Sequence, residues 1–240
     1  MLEDDEVQRA LVISAHPDDV DFGAAGTVAT WTDAGIEVAY CIVTDGDAGG
    51  FDPSVPRAEI PGIRRAEQTA AAKEVGVTDL AFLGYPDGRL VTSLELRRDL
   101  SREIRRVRPE RVLCPSPERN WQRIFASHPD HLAAGEASMA AVYPDARNAF
   151  AHPELLQEGY EPWSVPEVWM MASPVRNRWV DVTDVLTRKL DALRNHVSQH
   201  TDADGKLEER MRAWSAMLAQ EAGFADGRLA EGFFAIDSAG

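Results

Sequence analysis

Apolar residues along this chain follow two rhythms. Short unbroken runs, "ALVISA" from Ala10 to Ala15 and "EVAYCIVT" from Glu37 to Thr44, have no polar face and read as strands covered on both sides. "DLAFLG" from Asp79 and "RVLCP" from Arg111 repeat the pattern. Between these runs the spacing turns helical. "GAAGTVATWTDAG" closes at Gly35, a second helix is predicted from Ile63 to about Val75 with Gly76 as its stop, and Leu96, Leu100, Ile104 and Val107 mark a third that ends before Pro109. A fourth is predicted from Pro129 to about Ala141. Beyond Tyr143 the pattern loosens, with strands at "VPEVWMMA" and "RWVDVT", helices at "VLTRKLDALRNHVSQH" and "LEERMRAWSAMLAQEAG", and a last strand at "EGFFAI". Alternating strand and helix predicts an α/β fold, a parallel sheet with helices on both faces. No repeat or low-complexity linker divides the chain, so one domain is predicted over residues 1–240.

Composition narrows the partners. A net charge of -15 and a pI near 4.8 argue against nucleic acid and against an anionic membrane surface, both of which call for Lys and Arg clusters. No apolar run reaches the roughly 20 residues that cross a bilayer, so no membrane insertion is expected. The acidic start "MLEDDEVQRA" is unlike a signal peptide, and Cys41 and Cys114 both lie in strand-like segments. From these features a reducing cytoplasm is expected.

One tripeptide occurs twice. His-Pro-Asp appears in "ISAHPDDVDFG" after the first predicted strand and in "ASHPDHLAAG" after the fourth. Proline at a first helical turn with an acid beside it is a good helix start, and for either copy alone capping is an adequate account. The pair requires more. His16 and Asp19 stand three apart, as do His128 and His131, and a capped helix needs neither the second carboxylate nor the second histidine. A metal uses both: two imidazoles and a carboxylate make an open site with a place for water, whose pKa zinc lowers toward about 7. Asp18 and His128 are then left to move protons and stabilise an oxyanion, and Asp130 to orient an imidazole. A third His-Pro pair, His152-Pro153, lacks a neighbouring ligand and reads as a surface turn, and His196 and His200 read as helix-surface residues. "TDGDAGG" lacks the lysine of a nucleotide loop and reads as a wall of the metal pocket.

With "AHPDDVDFGAAGT" and "HPDH" together the chain resembles the PIG-L/LmbE family of metal-dependent N-deacetylases, and "RRAEQTAAAKEVGV", "LGYPDGRL", "HVSQ" and "AEGFFAI" follow in the family's order. The resemblance implies a Rossmann-like, mostly parallel sheet and a zinc site, with Fe2+ open as the ion in the cell. It makes His16, Asp19 and His131 the metal ligands and Asp18 the general base. It makes His128, in protonated form, the oxyanion stabiliser or acid with Asp130 behind it, and Arg64 and Asp87 the contacts to sugar hydroxyls. The implied reaction is hydrolysis of the N-acetyl group from a small 2-acetamido-sugar conjugate, by an enzyme whose relatives are often homo-oligomers. Two positions depart from the family pattern: Asp21 where Glu is usual, and Ala25 where glycine is usual. Three alternatives remain open on the residues: an amidase for a larger acyl group, a non-haem Fe(II) enzyme using the same triad, and a non-catalytic sugar-binding protein.

Overall fold

The computed structural model describes residues 1–199 and 205–239. In chain order the elements are β1 (Arg9–Ser14), α1 (Asp19–Gly23), α2 (Ala25–Asp33), β2 (Glu37–Thr44), α3 (Ile60–Glu74), β3 (Asp79–Tyr85), α4 (Leu94–Val107) and β4 (Arg111–Pro115). They continue with α5 (Pro129–Ala140), α6 (Pro153–Gln157), β5 (Glu167–Met171), β6 (Arg178–Asp181), α7 (Leu186–Arg194), α8 (Leu207–Glu221) and β7 (Ala230–Asp237).

The seven strands form one sheet in the order β3-β2-β1-β4-β5-β7-β6. The first five are parallel, and β7 runs antiparallel to both β5 and β6. The predicted mostly parallel sheet is therefore present, with an antiparallel edge. Alternation along β1 shows why its run is apolar throughout. Ala10 and Val12 join one core with Trp31 of α2 and Ala72 of α3, while Leu11 and Ile13 join the other with Leu100 of α4 and Ala137 of α5. Cys41 and Cys114 are buried free thiols. Among the described residues no helix is long and apolar enough to cross a membrane.

Three local readings change. The first predicted helix is shorter than expected: α2 runs only from Ala25 to Asp33, and Ala24 (φ -149°, ψ 2°) separates it from the short α1 that precedes it. The segment at His152 is not a turn alone: it starts the short helix α6, and its ring lies 3.3 Å from Asp145. Helix α7 stops at Arg194, so His196 is not on a helix surface. It is fully buried against Asp21, whose charge needs a partner in the interior. His200 lies outside the described residues.

The sheet order also explains where the two His-Pro-Asp corners go. Chain direction across the sheet reverses at β1, which has β2 on one side and β4 on the other. In doubly wound sheets the crevice at the strand C-termini opens at such a switch point. His16 follows β1 and the second corner follows β4, so neighbouring strand ends deliver both to one place.

Candidate metal centre

The two corners are built differently. Asp18, at the start of α1, has a left-handed backbone (φ 85°) and makes no side-chain cap to the helix. Such a conformation costs a non-glycine residue about 1–3 kcal/mol and persists only where its surroundings impose it. Gln68 of α3 accepts the Asp18 backbone N–H at 2.7 Å and donates its amide to Asp21 at 2.9 Å, and His196 meets the same Asp21 oxygen at 2.8 Å. Arg64 donates to the carbonyls of Pro17 and Gly46 and stands 3.2 Å from the Asp18 carboxylate. Capping is therefore not what Asp18 does. At the second corner His128 does cap its helix: its Nδ1 accepts the Asp130 backbone N–H at 3.2 Å, and Pro129 occupies the first turn of α5.

Three of the side chains singled out in the sequence lie close together. His16 Nδ1 lies 3.2 Å from His131 Nε2 and 3.4 Å from Asp19 Oδ2, and His131 Nε2 lies 3.0 Å from Asp19 Oδ1. Tetrahedral ligands bound at about 2.0–2.1 Å lie about 3.3 Å from one another, so this donor set fits a single small divalent ion. The other nitrogen of His16 faces two buried acids, Asp87 Oδ1 at 3.0 Å and Asp130 Oδ2 at 3.3 Å. A proton held there on Nε2 leaves Nδ1 as the ligand atom.

Asp130 thus stands behind His16, not behind His128, and is fixed by the N–H groups of Gly88 and Leu90 at 2.7 and 3.1 Å. Asp87 accepts the Ala48 N–H. Arg64 and Asp87 are only 3% and 8% exposed and are engaged with Asp18 and His16. Gln68 and the buried Asp21–His196 pair are the residues that sequence reasoning left without a role. The Asp21 position shows in the sequence only as a departure from the family pattern.

The centre draws positive charge. Burial alone would lower the pKa of His16, but the Asp19 charge and hydrogen bonds to Asp130, Asp19 and Asp87 outweigh it and push the imidazole up to about 12. His131 is raised in the same way by Asp19 against the pull of burial. Asp19, Asp87 and Asp130 are all lowered, burial being overcome by the facing histidines. His128 goes the other way. Burial, reinforced by the charge of His16, lowers its pKa. Since Nδ1 accepts from the backbone, the ring proton sits on Nε2.

Known proteins share this architecture. Residues 11–142 match the family described as "PIG-L: GlcNAc-PI de-N-acetylase". A diacetylchitobiose deacetylase of Thermococcus kodakarensis is 34% identical over 204 residues, covering 85% of this chain and 74% of that protein. A probable N-acetyl-alpha-D-glucosaminyl L-malate deacetylase 2 of Bacillus anthracis is 29% identical over 80% of this chain and 81% of its own. Among solved structures, N,N'-diacetylchitobiose deacetylase of Pyrococcus horikoshii, complexed with its inhibitor MPG, superposes with a TM-score of 0.89 at 31% identity, over 98% of this chain and 85% of that one.

Proposed function

The chain belongs to the PIG-L family, and on that premise we propose that it is a metal-dependent hydrolase that removes the N-acetyl group from a 2-acetamido-sugar conjugate, yielding acetate and a free amine. The observation that carries this reading is the meeting of His16 Nδ1, His131 Nε2 and the Asp19 carboxylate at ligand spacing, with Asp18 beside them on an imposed backbone. A divalent ion, which we assign as zinc although ferrous iron takes the same donors, would supply Lewis acidity and acidify a bound water.

The protein's own residues divide the remaining work. Asp18, oriented by Arg64 at 3.2 Å, takes a proton from the attacking water. His128 donates its Nε2–H to the acetyl oxygen as negative charge gathers there; a neutral imidazole suffices for this. The C–N bond then breaks, and protonated Asp18 returns its proton to the departing amine. Arg64 and Asp87, buried and already engaged, position Asp18 and His16 in this scheme.

Acetate release is the test, measured on diacetylchitobiose and on N-acetylglucosaminyl malate and inositol conjugates, with and without a chelator. Chelation should abolish release and added zinc restore it. Asp18→Ala should lower turnover about 10²–10⁴-fold with metal content intact. Parallel loss of metal and turnover would show that Asp18 holds the ion and is not the base.

A further inference from the structure

A cavity of about 590 Å³ abuts the metal centre, and the chemistry proposed above leaves it unused. Asp19 and His131 form part of its wall, whereas Asp18, His128, Arg64 and Asp87 do not. The rest is largely apolar, with Phe22, Met171, Met211, Trp214 and Leu218 among the lining residues. Among the described residues its one fully buried ion pair is Lys189 with Glu231; the other lining cations, Arg123, Arg176 and Arg210, are half-buried or exposed, Arg176 being paired with Glu221. Met171, Met211, Trp214 and Leu218 all lie beyond the matched residues 11–142, so this chamber is walled mostly by the part of the chain outside the family match.

An amide carbon carries an oxygen, a nitrogen and one carbon substituent. With the oxygen and the nitrogen facing His128 and Asp18, the third substituent points past the metal ligands to the side those two residues do not line. The chamber takes up that side. An acetyl methyl group would occupy a small fraction of it, and pockets of this size ordinarily enclose a whole ligand.

Resting on the hydrolase reading above, the geometry points to an acyl-chain pocket: the enzyme also hydrolyses N-acyl amino sugars whose acyl group is a straight hydrocarbon chain longer than acetyl. Water adds to the acyl carbon, the C–N bond breaks with its electron pair staying on nitrogen, and nitrogen takes the proton. The products are a fatty carboxylate, lying in the chamber, and the amino sugar.

The test compares kcat/KM for N-acetyl-, N-butanoyl- and N-hexanoylglucosamine, beside methyl and hexyl glycosides of N-acetylglucosamine. Each added acyl methylene should raise kcat/KM about fourfold, which corresponds to about 0.8 kcal/mol, while glycoside length should have little effect. Ser215 is buried on α8 and lines the cavity, so Ser215→Phe should cut the hexanoyl rate at least tenfold and leave the acetyl rate within twofold. If that variant does not fold, the wild-type series decides alone, together with quenching of Trp fluorescence by hexanoate but not by acetate. Amide hydrolysis whose kcat/KM falls with every added acyl methylene overturns the pocket and leaves the deacetylase reading standing. A rate that climbs with glycoside length instead assigns the chamber to the aglycone and overturns it too. No turnover of any amide overturns both readings.

Discussion

His16 uses its two ring nitrogens for two tasks. Nδ1 faces Asp19 and His131, and Nε2 faces Asp87 and Asp130. The proposed ligands are legible in sequence because each pair is local, three residues apart on a short corner whose proline limits the backbone. The partners behind them are not, because Asp87 and the N–H groups of Gly88 and Leu90 reach the site only through the folded sheet. The same holds for Gln68, which meets Asp18 across 50 residues of chain. Asp130 offers a sharp test of this outer layer. Both of its oxygens accept from backbone N–H groups while one also faces His16. In Asp130→Asn one of those acceptors becomes a donor facing another donor, and His16 loses a charge that holds its tautomer. Metal affinity, measured by competition with a chromogenic chelator, should fall about 10–100-fold, the usual loss for an outer partner of a ligating histidine. Unchanged affinity would mean that Asp87 suffices.

Helix α5 carries both His128 and His131, so its seat sets the geometry of the centre. Gly135 is the point of closest approach: a Cβ there would lie 2.5 Å from the Pro115 carbonyl oxygen and 2.8 Å from the Pro117 nitrogen, both backbone atoms that cannot swing aside. Gly135→Ala should therefore tilt or lift α5 away from the end of β4. The expected cost is about 1–3 kcal/mol of stability, read from urea unfolding, as for other overpacked sites. Metal affinity should fall more than tenfold with it, since His131 moves with the helix. Stability loss with affinity untouched would show that the loop at Pro115 yields and the helix does not. Strands and helices of this size were legible in the sequence because β1 and β2 are apolar on both faces and α4 carries a clear stripe. The end of α7 was not. Val197 extends the apolar spacing past Arg194, but the chain turns there, leaving Val197 exposed and His196 beside Asp21.

Across the whole molecule, strand order turns two distant motifs into one site, and no local pattern encodes that order. What the sequence does carry is the alternation of elements, from which a crevice at the strand C-termini follows. The acid-rich centre formed there then couples metal to global stability. Without metal, folded His16 holds its proton up to about pH 12, while an unfolded histidine releases it near 6.5. A folded pKa above the unfolded one gives stability that is complete below about pH 6.5 and is lost as pH rises toward 12. His131 is raised as well and adds to the loss in the same direction. The lowered carboxylates are ionised in both states above pH 6 and contribute no slope. Chelated protein should therefore lose stability between pH 7 and 8, by up to about 1.4 kcal/mol per proton per pH unit. That window lies below the ordinary range of Cys41 and Cys114, whose raised pKa values would add a similar slope only at higher pH. With saturating zinc the ion replaces those protons and the slope should flatten. Urea midpoints at pH 7 and 8, with and without chelator, decide the matter; equal midpoints in the chelated protein would mean that the acids around His16 do not hold its proton in solution.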